Sequence, residues 1–135
     1  MPDKILQVCP GIPTVVTEDA ATARQGVAWY VAFYLVMMGP IYRRALARLG
    51  FEKEVEAMLA ANANRNPAIV PDEAEGLLEQ LAIYGTPEQA REQLERWYDA
   101  GADMPLLALG PNLSSGEIDF VLQAFRNAPN PGHIA

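Results

Sequence analysis

The chain carries very little of the chemistry that enzymes usually place on their own side chains. Cys9 is its only cysteine, so no internal disulfide forms, and a reducing cytoplasm is the simplest home. His133 is its only histidine and lies in a tail rich in proline, glycine and asparagine. That excludes a metal centre built on histidines and a Ser-His or Cys-His nucleophile system. Basic residues number 10 against 17 acidic ones, a formal charge of -7. Only Arg43, Arg44 and Arg48 cluster, so no basic face exists to neutralise nucleic-acid phosphates. Long hydrophobic runs are missing too. The uncharged stretch 26–42 is 17 residues long, at the bottom of the membrane-spanning range, and Gly39-Pro40 and several tyrosines interrupt it. A core or subunit-interface helix is the better reading. The opening Met-Pro-Asp-Lys leads into a strand-like segment, unlike a secretory signal peptide.

What is present suits one domain: 135 residues, half of them hydrophobic. The clearest element lies at 86–101. Thr86 can cap a helix, Pro87 suits its first turn, and Gln89 completes a capping box. Ala90, Leu94, Trp97 and Tyr98 form one apolar stripe, and Gly101 ends the helix. Residues 104–109 follow, apolar without alternation, as in a strand buried on both faces. Residues 5–9 read as another short strand, with Thr14, Val15 and Val16 as a continuation after Pro10-Gly11-Ile12-Pro13 bends or interrupts it.

The remaining elements are helical. Thr17 offers a capping hydroxyl, with acids in the turn that follows. Pro40 can open a helix through Ile41, Ala45 and Leu49 to Gly50. Phe51, Val55, Met58 and Leu59 make another, ending near Asn62 and the Asn/Pro loop. A helix is expected from Pro71 to about Ile83, with Leu77, Leu78 and Leu81 inward. Ser114 and Glu117 form a second capping box, ahead of the stripe Ile118, Val121, Leu122 and Phe125. Glu18, Asp19, Asp72, Glu73 and Glu88 are first-turn acids favoured by the helix dipole, and poor candidates for a catalytic carboxylate pair. The sum is α/β and mostly helical, with two short parallel-type strands that lack neighbours.

The chain resembles the C-terminal part of the bacterial luciferase-like family of flavin- or deazaflavin-dependent oxidoreductases, nearest the branch that uses coenzyme F-420. The resemblance rests on Val15-Val16-Thr17-Glu18-Asp19-Ala20, on Met38-Gly39-Pro40 with Tyr42, and on Ala47-Arg48-Leu49-Gly50-Phe51. Its most specific element is Tyr84-Gly85-Thr86-Pro87-Glu88 followed by Ala100-Gly101-Ala102-Asp103. It implies the C-terminal portion of a TIM (β/α)8 barrel, a fold that takes about 250 residues. Residues 5–16 then resemble barrel strand 7, 104–109 strand 8 and 115–125 the final helix. The chain divides into a strand region (1–16), a helical insertion (17–83), a helix-strand-helix unit (84–126) and a tail (127–135).

The six earlier strands, and the catalytic side chains they hold in that family, have no counterpart here. No catalytic residue transfers, and the start resembles a point internal to a longer reading frame. The resemblance further implies hydride transfer between reduced coenzyme and a small organic substrate in the complete enzyme, with F-420 or FMN as cofactor. No tight cofactor binding or turnover is expected of this chain alone. A homo-oligomer or a missing barrel half is the expected partner; a non-catalytic, homo-oligomeric helical module is the alternative.

Barrel active sites lie at the C-terminal strand ends. That rule makes Cys9, Pro10 and Gly11, and Gly110, Pro111 and Asn112, the candidate pocket-lining or cofactor-binding residues. It puts Asp103 at the opposite, stabilising end. Cys9 is otherwise a small buried residue with nothing basic beside it. Residues 110–116 also suit an anion at a helix start, although Ser114 already serves there as N-cap. The aromatics and methionines of 26–42 read as packing or pocket wall.

Overall fold

A computed structural model of the chain describes residues 6–64 and 69–126. At its centre is β1 (Gly11–Val16), with parallel neighbours on both sides: β2 (Ile83–Gly85) and β3 (Leu106–Ala108), in the order β2-β1-β3. The two neighbours divide the strand between them. β3 pairs with Gly11, Ile12 and Pro13, and β2 pairs with Thr14, Val15 and Val16. Pro13 falls at the changeover, where its missing N–H costs least.

The sheet thus has three strands, where the sequence pattern indicated two. Ile83 was expected to end a helix, yet α4 (Glu75–Leu81), which follows a 3₁₀ turn at Asp72–Ala74, stops two residues earlier. Ala82 is already extended, at φ -139° and ψ 163°. Local pattern cannot reveal that change, because Ile83 and Tyr84 gain their strand state by pairing with β1.

The first strand is displaced as well. Residues 6–10 carry no regular element, and the ladder begins at Gly11. They still run beside 103–106: the Val8 carbonyl accepts from the Asp103 and Met104 amides, and the Pro10 carbonyl from the Leu106 amide at 2.8 Å. Ile5 lies outside the described residues. The third strand is shorter and wetter than its composition indicated, because among the described residues no strand pairs with its outer side. Met104 is 51% exposed and Leu106 50%.

Helices cover both faces of the sheet. After β1 come α1 (Ala20–Met37), α2 (Pro40–Leu46) running into a π turn at Ala47–Phe51, and α3 (Glu52–Ala61). α1, α3 and α4 enclose one core around Val27, Leu35, Met58, Leu77 and Leu78. On the other face, α5 (Pro87–Asp99) and α6 (Ser115–Phe125) enclose Ile12, Val16, Ile83, Leu94 and Val121. The uncharged stretch 26–42 is split by Gly39, at φ 81°, so the two pieces fold against each other. Among the described residues no helix is long and apolar enough to cross a membrane.

Both capping boxes form as the spacing indicates, at Thr86/Gln89 and at Ser114/Glu117. The first helix is capped differently. Asp19, not Thr17, is its N-cap and accepts from the Thr22 amide at 2.9 Å, while the Thr17 hydroxyl donates to the Asp19 carbonyl. In α6 the expected stripe is only partly buried. Val121 is inside, but Ile118 is 37% and Leu122 60% exposed, because only one side of this helix finds a neighbour.

Candidate functional site

Beyond the C-terminal halves of β1 and β3 a cleft of about 330 Å³ opens between the sheet, α1 and the turn that follows β3. β1 supplies Pro13, Thr14 and Val15 as its floor, and α1 supplies Gly26, Trp29 and Tyr30. Gly110, Pro111 and Asn112 form the far rim. Local chemistry explains the shape. A Cβ on Gly26 would sit 3.2 Å from a Val15 methyl, so glycine lets α1 lie close to the strand. Thr14 turns its hydroxyl away from the cleft's needs by donating to the Ile12 carbonyl at 2.9 Å. Nothing lies within 4 Å of a Cβ placed on Gly110, so the rim is open there.

The structure brings Gly110, Pro111 and Asn112 together on this cleft, while Cys9 and Pro10 stand elsewhere. Those two precede β1, at the end opposite the rim, because the strand starts at Gly11 and not at residue 5. The premise that set them after a strand is corrected by that shift. Gly11 opens β1 and lines a different cleft, between β1, α1 and α2. Asp103 lies at the N-terminal end of β3, where its carboxylate accepts from the Val8 amide at 2.7 Å. Thr14 and Gly26 were not singled out as site residues, whereas Trp29 and Tyr30 belong to the aromatics of 26–42 that read as packing or pocket wall, and they line this cleft.

No charged side chain lines this cleft. Its apolar wall, with the aromatic side chains of Trp29 and Tyr30, suits the flat face of a conjugated ring system. It does not suit a phosphate, for which it offers no cation. The start of α6 is no substitute, since the Glu117 carboxylate already accepts from the Ser114 amide and hydroxyl, both at 2.7 Å. Those bonds hold the Glu117 carboxyl below its usual range. Among the described residues there is no group of three or more His, Cys, Asp or Glu that could hold a metal ion. His133 lies outside the described residues.

A larger cleft, about 690 Å³, lies beside β2 between α1 and α5. Arg24, Tyr84 and Gln93 in its lining are committed to the fold. Arg24 forks onto Glu75, bonding through Nε at 2.9 and 3.1 Å and also through Nη2. The Tyr84 hydroxyl donates to Glu75 at 3.1 Å. The Arg24 bond holds the Glu75 carboxyl low, and burial followed by the Glu75 charge pushes the Tyr84 phenol up to about 12. Gln93 binds both backbone groups of Tyr84, accepting at 2.8 Å and donating at 2.6 Å. These contacts tie helices to the sheet, so the smaller apolar cleft is the better ligand site.

A parallel sheet clothed in helices, with an apolar cleft at its strand ends, is the layout of an α/β protein that binds ligands beyond its strands' carboxyl ends. The family of luciferase-like monooxygenases matches residues 2–104, and the chain belongs to it. A Mycobacterium tuberculosis protein that goes by the name of a putative coenzyme F-420-dependent oxidoreductase is 27% identical over 112 residues. The match covers 77% of this chain and 31% of that relative, so the chain spans about a third of the relative's length.

Proposed function

We propose that this chain forms the C-terminal wall of a luciferase-like oxidoreductase that uses a deazaflavin such as F-420, or FMN. The complete enzyme passes a hydride between the reduced coenzyme and a small organic substrate. The observation that carries this reading is the uncharged cleft at the ends of β1 and β3, within a chain of that family. When bound, the cofactor supplies the hydride chemistry, as in any flavin-type enzyme. The residues here bind and shield. Trp29, Val15 and the 110–112 turn would cover part of the cofactor's ring system and keep water from its face. With no charged group, histidine or cysteine in the cleft, the chain by itself is expected to be inactive. We place it in the cytoplasm, on the strength of its lone cysteine.

A chimaera tests the reading. This chain replaces the matching third of the Mycobacterium relative, and reduced F-420 is titrated in. Coenzyme binding by the chimaera, with none by the 135-residue chain alone, is the expected result. A folded chimaera that binds no coenzyme, or turnover by the chain alone, overturns it.

One set of observations favours a second reading, a non-catalytic module that pairs with another copy. Met104, Leu106, Ile118 and Leu122 are all exposed along the open side of β3 and on α6. Light scattering separates the two: a stable dimer that ignores the rest of a barrel supports the module.

A further inference from the structure

A third cleft, of about 340 Å³, opens where α2 folds back beside α1, and it shares Pro13 and Tyr30 with the cleft at the strand ends. Tyr30, Tyr34 and Tyr42 line it, facing Pro13, Leu35 and Leu81. The convergence has a plain origin. Positions 30 and 34 share one helix face, and the Gly39 turn returns Tyr42 to them. The Tyr30 and Tyr34 rings stack with centroids 5.0 Å apart, and Tyr42 meets Tyr34 edge-on at 5.3 Å. The Tyr30 hydroxyl donates to the Tyr34 hydroxyl at 3.4 Å, while the Tyr34 and Tyr42 hydroxyl protons find no acceptor among the described residues. No charged residue lines the cleft.

We propose that this tyrosine-lined cleft binds a neutral, planar carbonyl compound, its flat face on the aromatic rings and its oxygen accepting from a tyrosine hydroxyl. Each part of that description answers a property of the walls. Ring faces and edges favour a flat conjugated partner over a globular aliphatic one. The Tyr34 and Tyr42 hydroxyls bond to no protein acceptor among the described residues and are open to solvent, so they are free to donate to a ligand that accepts. An ion entering would lose its hydration and meet no opposite charge, so the ligand is neutral. The volume falls within the range of roughly 300–1,000 Å³ typical of small-molecule sites. The inference concerns binding and goes beyond the oxidoreductase reading, holding whether or not the chain takes part in hydride transfer.

Isothermal titration of the full chain with acetylnaphthalene, methylnaphthalene and naphthoate tests it, since the three share a ring and differ in the acceptor and the charge. The ketone is expected to bind about threefold to tenfold tighter than the hydrocarbon. It is expected to bind at least about tenfold tighter than the anion. Replacing all three hydroxyls, Tyr30→Phe with Tyr34→Phe and Tyr42→Phe, keeps the rings, leaves no phenol in the cleft to donate, and is expected to bring the ketone down to the hydrocarbon's affinity without weakening the hydrocarbon. Equal affinity of the wild-type chain for ketone and hydrocarbon, preference for naphthoate, or no saturable binding of any of them overturns the proposal. Should the triple variant fail to fold, as circular dichroism would show, the wild-type comparison of the three ligands still decides.

Discussion

Gln93 shows how much one side chain does in a sheet of three strands. Its amide takes up both the N–H and the C=O of Tyr84, covering the β2 backbone where another strand would otherwise pair. Gln93→Ala leaves both groups to water or to nothing, and is expected to cost about 1–3 kcal/mol in urea unfolding. Gly85 is equally constrained, since φ is 128° and an added Cβ would lie 2.4 Å from the Gln89 Oε1 that caps α5. Gly85→Ala is expected to destabilise by more than about 1 kcal/mol, through both strain and the lost cap. Two groups set the pH limits. Glu75 is held low by Arg24, so its contribution is present above the ordinary carboxylate range and lost as pH falls through its lowered value. Tyr84 is raised to about 12, so between roughly pH 10 and 12 the unfolded chain gives up this proton first and stability falls as pH rises. Tyr84→Phe is expected to flatten that alkaline slope, read as the denaturation midpoint against pH. Tyr84 and Gly85 stood out in the sequence as part of its most specific motif, but the roles described here did not, because they depend on partners elsewhere in the chain, such as Arg24 and Glu75, 51 positions apart.

Elements whose signals are local were legible. The Thr86/Gln89 and Ser114/Glu117 boxes sit three residues apart in sequence, and both form. Gly101, at φ 104°, ends α5 with its amide on the Tyr98 carbonyl at 2.9 Å. Ser114→Ala removes the cap of α6 and is expected to cost about 0.5–2 kcal/mol, measurable by thermal melting. Strands were far less legible. β2 was hidden behind the leucine spacing of α4, and β1 began later than its apolar start indicated. A strand of three residues is made by its neighbours, and the neighbours of β1 arrive about 70 and 95 residues later in the chain. The candidate site inherited that error: Gly110, Pro111 and Asn112 reach the cleft, whereas Cys9 and Pro10 fall at the other end of the strand.

At the scale of the whole molecule the sheet is closed on one side and open on the other. Gln93 covers β2, while β3 is an edge strand with Leu106 half exposed and, on α6 behind it, Ile118 and Leu122 partly exposed. Such a face is a ready template for further strands or for a second molecule. Leu122→Glu is expected to leave the unfolding midpoint nearly unchanged, because Leu122 is 60% exposed, while weakening association in sedimentation experiments. A large loss of stability without a change in association would show that this face packs within the monomer instead.

The sequence by itself determined the two capping boxes at Thr86/Gln89 and Ser114/Glu117, the glycine stop of α5, and that one histidine and one cysteine are all the chain has for metal or nucleophile chemistry. These follow from contacts between residues three or four apart and from composition, both of which survive without a fold. Only the tertiary structure decided that Ile83, Tyr84 and Gly85 are a strand, which end of β1 faces the cleft, and that three tyrosines from two helices share one wall. Each of those depends on pairing across long stretches of chain, and the register of a short parallel strand is set by the partners it meets and not by its own few residues.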